Sequence, residues 1–510
     1  MSATFFTDDV PDELWLEIAS SLPRAHLQTL HQLDKRLSRL TRPLLFADLA
    51  FSRTFCSSPT PPILPARPAF DSGQKRLDFW LSDDIAPLVE SCHLTVRVLS
   101  EDELATQMPV GADCVLPTAT DLRILSRRLV ENLSHFVRLR RVQVDDETLS
   151  MAAIIGIHGL PLLEQLDLTG CKIEDGAISL ALAVTRAPLS FVQLSAFQSF
   201  APEKERFWSA FFNADSLRAV TLNIDLAFWL QDPQTAPIFR RTTKLTLLYL
   251  AAAPAASLPR VLAKSFPALQ DLGLFPAALA PRTRDEPDQW GGDPHDSLCP
   301  IIRTALLPIA GQLVRLRGYY SILHHFSTDP WRVSHLGLSP HLFRALADLI
   351  EDLDPCATLT HLSLSIFDVD TESLNATLRL YPRLEALYLH GLNLPMRMSI
   401  WTELASDLTL PPTLRSLLVN TKRWRANGHM PGDVTQAVAP ANDADASALL
   451  HAFVERYPQL ARLWIRGRDF FIMRSGAEQG ADARVVAVGD DVDAVSNKYI
   501  DLWNRRAEFI

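Results

Sequence analysis

Apolar residues recur along this chain with two different periods. Near the start the spacing is helical: Leu14, Ile18 and Leu22 fall four apart and share one face of a first helix. Pro11, Asp12 and Glu13 start that helix well, because proline presets φ and carboxylates favour the positive end of the helix dipole; Pro23 stops it. Leu27, Leu30, Leu33, Leu37 and Leu40 carry the apolar positions through a second and a third short helix. The stretch 10–46 is too short to bury a stable core alone, so its remaining apolar face calls for a partner surface.

Further along, the period changes to a hexamer, apolar-x-x-apolar-x-apolar. It starts at Leu139, Leu163, Leu189, Leu217, Leu245, Leu269, Leu313, Val333, Leu359, Leu384, Leu414 and Leu460, and only the copy ending in Gly318 breaks its last position. Its final two apolar residues lie two apart and so point to one face of a strand, which a single repeat cannot bury. Stacked repeats join such strands into a parallel sheet with a continuous core. Amphipathic helices are expected between strands at 256–266, 340–353, 371–381 and 447–457. Three of them end alike, in Phe266-Pro267, Tyr381-Pro382 and Tyr457-Pro458, where proline biases the preceding residue toward extended backbone. A weaker strand is expected at 94–98.

Two resemblances rest on these residues. Val10-Pro11-Asp12-Glu13-Leu14, Ile18, Leu22-Pro23, His26-Leu27, Leu33 and Lys35-Arg36-Leu37 resemble an F-box, the three-helix module that docks onto the Skp-type adaptor of cullin ubiquitin ligases. Val10 stands where the family has leucine, a methylene worth about 0.8 kcal/mol of burial, and Leu37 stands where an aromatic is common. The hexamers start roughly 20 to 30 residues apart in most cases, the period of leucine-rich repeats. Residues 163–173, LEQLDLTGCKI, match the fuller leucine-rich pattern, with Cys171 where Asn or Cys satisfies turn backbone groups; Phe367 and Leu392 show the same position drifted. The array is similar to the irregular leucine-rich repeats attached to fungal F-box proteins.

What the resemblance implies is an α/β chain: a small three-helix F-box, then a leucine-rich-repeat solenoid with its parallel sheet on the concave side and helices on the convex side. The expected division is a disordered N-terminus at 1–8, the F-box at 9–50 and a proline-rich linker at 51–84. A repeat domain at 85–475 follows, with insertions at about 276–300 and 422–446, and a C-terminal tail and cap at 476–510. Val10, Pro11, Leu14, Ile18, Leu22, Leu27, Leu30, Leu33 and Leu37 would form or support the adaptor dock. The chain would be the substrate-recognition subunit of a cullin-type ligase, bridging the ligase and an unidentified target by proximity. An adaptor-bound scaffold without a ubiquitination role, and a stand-alone repeat protein whose first helices are only a cap, stay open beside it.

Composition narrows the partners. Of 510 residues 47% are hydrophobic and 21% charged, a globular composition, and the net charge of −10 argues against nucleic acid and anionic membrane surfaces, both of which need a basic patch. Asp8 and Asp9 do not suit a secretory signal, and apolar stretches such as 245–258 fall short of the roughly 20 residues of a membrane span, so a cytoplasmic or nuclear protein is expected. Cys56, Cys92, Cys114, Cys171, Cys299 and Cys356 are too scattered for a disulfide framework or a metal pair. Phosphate-binding glycine loops, H-E-x-x-H and G-x-S-x-G are absent, Gly291-Gly292 stands alone, and His324-His325 diverge on regular structure. No catalytic residue, metal or cofactor is expected, and no enzyme activity.

The remaining chemistry lies on the strands. The third and fifth residues of each hexamer alternate with the inward fourth and sixth and face outward. Early repeats present Arg141, Gln143, Gln165, Asp167, Phe191 and Gln193 there. Later ones present Arg315, Arg317, His335, His361, Tyr388, Arg462 and Trp464, with His390 and Arg466 beyond them. Arg, His and aromatic side chains dominate binding hot spots, and guanidinium forks suit carboxylate or phosphate. These later residues are the candidate target site, with Asp271 a candidate neutralising neighbour. His335 and His361 occupy the same position in successive repeats without a third ligand in register, which argues against a metal.

Overall fold

The computed structural model describes residues 10–56, 67–99, 119–145, 147–174, 187–195, 212–223, 237–250, 258–276, 306–319, 332–339, 356–366, 371–391, 406–420, 452–453, 455–465, 468–474 and 483–487. The chain divides into two compact units, Met1–Thr243 and Lys244–Ile510.

The first unit begins with helices α1 (Asp12–Ser20), α2 (Arg24–Leu33) and α3 (Lys35–Phe46). Pro11 and Pro23 precede α1 and α2, and the Asp34 carboxylate caps α3 by accepting from the Leu37 amide at 2.8 Å. Ala19, Leu27 and Leu45 form a small core, with Leu22, Leu44 and Phe46 packed on it. Asp12 pairs with Arg36 at 2.6 Å and Arg39 at 3.0 Å, and Arg36 also donates to the Val10 carbonyl at 2.7 Å, which fastens α1 to α3.

Within the linker expected at 51–84, the described residues 51–56 and 67–80 lie in regular elements, and 57–66 lie outside the described residues. Ala47 alone separates α3 from strand β1 (Asp48–Cys56), and helix α4 (Arg67–Trp80) follows. Strand β1 pairs in parallel with β2 (Ser91–Leu99), Asp48 opposite Ser91. The reason is a pair of disguised hexamers, Phe46-x-x-Leu49-x-Phe51 and Val89-x-x-Cys92-x-Leu94, in which Phe and Cys fill leucine positions; Leu49, Phe51, Val89, Cys92 and Leu94 are buried. Phe46 also meets Phe79 and Trp80 of α4 edge-on, with centroids 5.6 and 5.8 Å apart, so the helical module is joined directly to the first repeats.

The sheet of this unit continues in the order β1-β2-β3-β5-β7-β8, through β3 (Arg141–Asp145), β5 (Gln165–Thr169), β7 (Phe191–Ser195) and β8 (Ala219–Asn223), all parallel. Two short strands, β4 (Thr148–Leu149) and β6 (Lys172–Ile173), pair separately. The inward residues Val142, Val144, Leu166, Leu168, Val192 and Leu194 are buried. At each junction one carbonyl accepts from two successive amides of the next repeat: Glu164 O receives Ser190 N at 2.8 Å and Phe191 N at 3.0 Å. Cys171 occupies its turn position as a structural residue, buried, with its thiol donating to Val144 O at 3.3 Å. Burial pushes that thiol up to about 12, which keeps it protonated and unreactive. Gly170 before it has φ 67°, the left-handed region glycine enters without strain.

The second unit repeats the design in β9 (Lys244–Leu250), β10 (Asp271–Pro276), β11 (Arg315–Tyr319), β12 (His335–Ser339), β13 (His361–Ile366), β14 (Ala386–Gly391), β15 (Ser416–Asn420) and β16 (Arg462–Ile465), parallel and in sequence order. Helices Leu258–Ser265 and Thr371–Leu380 stand at two of the expected places. The aromatic residues before proline, Phe266, Tyr381 and Tyr457, are buried, and each carbonyl accepts from the leucine that opens the next hexamer, for example Leu384 N to Tyr381 O at 3.2 Å. The expected helices at 340–353 and most of 447–457, both insertions apart from the end of β10, the N-terminal residues 1–8 and the expected tail and cap at 476–510 apart from 483–487 lie outside the described residues.

Two sequence expectations shift. Asp271 faces Lys244 and Leu272 faces Leu245, so the hexamer at β9 is TTKLTL from Thr242, three residues earlier than a start at Leu245. Thr242 is buried in a leucine position because its hydroxyl donates to Leu217 O at 2.9 Å. The tail expected after 475 holds strand β18 (Ala483–Ala487), which pairs antiparallel with β17 (Arg468–Arg474), itself antiparallel to β16.

Candidate functional site

The helical module presents one candidate surface. Leu14, Ile18 and Leu33 are 50%, 46% and 65% exposed, and Leu16, which the four-residue spacing passes over, is also exposed. Of the other residues expected at the dock, Pro11 is exposed, Val10, Leu22 and Leu30 are half-buried, and Leu27 and Leu37 are buried. Those last two hold the helices together and support the surface from within. Three exposed leucines and one isoleucine on two successive short helices are an unspent source of burial, about 1.5 to 3 kcal/mol for each side chain taken fully out of water.

The strand faces present the others. In the first unit Ser91 and His93 lie on β2 beside Gln143 on β3. The Gln143 amide oxygen can only accept, so Nδ1 of His93 carries the proton and donates to it at 3.1 Å, and Nε2 accepts from the Ser91 hydroxyl at 2.6 Å. That order of groups activates a nucleophile in hydrolases, yet Ser91 is 2% exposed, and here the relay, with His93 and Gln143 half-buried, is a tie between strands. One strand further, Asp167 accepts from Thr169 Oγ1 at 3.0 Å and lies near Asp145. Burial first, and the Asp145 charge in addition, raise the Asp167 carboxyl to about 6 against the pull of the Thr169 hydrogen bond.

In the second unit the third and fifth positions are cationic and imidazole-rich. Asp271, 2% exposed, stands one strand from Arg315 and pairs with its Nε at 3.3 Å and with Arg317 Nη2 at 3.3 Å. The stem of Arg317 lies across Gly337 on the next strand, where an added Cβ would meet Arg317 Cγ at 3.0 Å. His335 and His361, opposite each other in register, stack with centroids 4.0 Å apart and planes at 14°. Ser334 donates to Val314 O at 3.3 Å and Thr360 to Ser334 O at 3.2 Å; each hydroxyl oxygen then accepts from the neighbouring Nδ1–H, at 2.8 Å in both cases. Burial, the His361 ring and the Arg315 charge lower His335 to about 3, and burial together with Arg315 lowers His361, with Glu385 opposing.

The candidate target residues are therefore brought together in part. Arg315, Arg317, His335 and His361 form one group around Asp271, with Tyr388 half-buried on β14 beside Ser363. Arg462 is half-buried on β16, opposite Ser416, so two strands separate it from His361. His390 and Trp464 take their register positions opposite Asn420 and Leu418, and Arg466 lies outside the described residues. The burial of Asp271 between two arginines is the feature that spacing alone did not convey, although all three occupy outward hexamer positions. Among the described residues no group of three or more His, Cys, Asp or Glu side chains is placed to hold a metal, and no helix is long and apolar enough to cross a membrane.

Fold and faces together define a parallel-strand repeat protein of the leucine-rich kind, carrying a three-helix module at its start. No family model matches the chain, and no curated protein matches it. Among solved structures it is similar to the complex of Rad7 and Elc1 from yeast, at 13% identity over 78% of this chain and 92% of that one, with a TM-score of 0.30. A likeness of that size carries no argument about function.

Proposed function

We propose that the chain is a receptor subunit of a cullin-type ubiquitin ligase. In this reading α1–α3 form an F-box that docks onto a Skp-type adaptor, and the repeat strands hold a target protein for ubiquitin transfer by other subunits. The observation that supports it is the exposure of Leu14, Ile18 and Leu33 on a module whose own core is already filled by Ala19, Leu27 and Leu45. A helical cap serving only the repeats would turn those side chains inward; here they face solvent while α3 and α4 make the junction to the sheet. The role is one of proximity, with no bond chemistry in this chain. Reconstitution tests it: the full chain, mixed with a Skp-type adaptor and a cullin, forms a stable assembly that transfers ubiquitin to proteins captured by the repeats. An assembly that forms but transfers nothing leaves a scaffold, and failure to assemble removes the reading.

A further inference from the structure

The arrangement around Asp271 goes beyond a generic target face. Two guanidiniums converge on one buried carboxylate, and both are fixed, one by its pairing from the neighbouring strand and the other also by the glycine beneath its stem. An arginine held this way loses little side-chain freedom when it binds, unlike one waving in solvent. Beside the pair lies a flat plate of two stacked imidazoles, kept neutral first of all by burial and oriented by the Ser334 and Thr360 hydroxyls. Those rings report the local field. The Arg315 charge disfavours protonation of both rings, while at His361 the Glu385 carboxylate opposes it more strongly, so the positive end of the plate lies at His335, beside Arg315. In register, Lys244 stands beside Asp271 at one end of the row, and Arg462 occupies the same hexamer position at the other. Among the outward hexamer positions of β9 to β16 the acidic residue is Asp271; Glu385 stands at an adjoining rim position, and Asp469 of β17 is opposite Trp464 at the Arg462 end of the row.

We infer that this face binds an acidic segment of a partner protein, with carboxylate side chains meeting Arg315 and Arg317 and the segment lying over the His335–His361 plate. The inference rests on the receptor reading for its biological sense, since the segment would belong to the target, but the binding itself does not require an adaptor. Charge complementarity selects this occupant: a basic segment would meet Arg315, Arg317 and Lys244 with like charge, while the acidic total of −10 keeps other acidic chains away from the rest of the surface.

A fluorescently labelled Glu-rich peptide titrated into the full-length chain tests it, with a Lys-rich peptide of equal length and a phosphoserine peptide lacking Asp and Glu as comparisons. The Glu-rich peptide is expected to bind, to weaken as salt is raised, and to lose about tenfold or more in affinity in Arg317→Gln, which leaves Arg315 to hold Asp271. Arg462→Gln lies away from the Asp271 pair, so it reads the effect without that risk to folding and is expected to lower affinity several-fold. Asp167→Asn, in the other unit, is expected to leave binding unchanged. Preference for the Lys-rich peptide, binding of the phosphoserine peptide alone, no binding of the Glu-rich one, or affinity indifferent to both arginine variants would overturn the inference. Peptide binding without adaptor capture would remove the receptor reading and leave this site standing; adaptor capture without peptide binding would do the reverse.

Discussion

The two units use the same backbone device and opposite electrostatics. On the first strand face a half-buried carboxylate, Asp167, has a second carboxylate nearby and amide and hydroxyl neighbours, and its pKa climbs to about 6. On the second, Asp271 is fully buried and clasped by Arg315 and Arg317. Both residues sit at outward positions of a hexamer whose inward leucines are interchangeable between units. The difference teaches that the repeat specifies the sheet through its inward positions and leaves the outward ones to carry separate chemistry. It also separates two roles for a buried charge, since Asp271 is part of a cluster whose removal breaks something, and Asp167 is a carboxylate the fold would be more stable without.

The sharpest way to break that contrast is to delete each carboxylate. Asp271→Ala leaves two confined guanidiniums without it and is expected to cost about 3 to 5 kcal/mol of stability in urea denaturation. Asp167→Asn is expected to stabilise at pH 7 by on the order of 2 kcal/mol, the counterpart of a carboxyl raised from 3.8 to about 6. The same shift gives a pH test. Because the folded state takes up the Asp167 proton at about 6 and the unfolded chain only near 4, stability rises as pH is lowered through that window, and the slope vanishes in the Asn variant. A smaller effect belongs to the helical module. Asp12 is held below its ordinary value by the Arg36 hydrogen bond and by the charges of Arg36 and Arg39, so its contribution is present above about pH 4 and lost as pH falls below its lowered value. Hydrogen exchange of α1 amides in Asp12→Asn, compared at neutral and acid pH, should show faster opening at neutral pH alone.

Much of the sheet was legible because Leu, Val and Ile repeat at fixed offsets, and the alternation of outward and inward residues follows from the strand period. What escaped was the repeat written in other letters. Phe46, Phe51, Val89 and Cys92 serve as leucines in the first two strands, so a stretch beside a proline cluster read as linker when β1 starts immediately after α3. Thr242 hides a core position behind a hydroxyl that finds its acceptor only in three dimensions, which moved the apparent start of a repeat by three residues. At the dock, helical spacing selected Leu14, Ile18 and Leu33 but could not separate them from Leu27 and Leu37, because periodicity identifies an apolar face and not what covers it. The stacked imidazoles were foreseeable from register, and the depth of Asp271 was not.

The claim that the exposed helical face is a dock for an adaptor is tested most directly by Leu14→Asp combined with Ile18→Asp. Both side chains are about half exposed, so the double variant should keep the fold, with stability changed by no more than about 1 kcal/mol. Binding to a purified Skp-type adaptor, followed by calorimetry with the unaltered chain alongside, should be measurable for the unaltered chain and abolished in the variant. An adaptor that fails to bind the unaltered chain, or binds the variant equally well, would contradict the assignment.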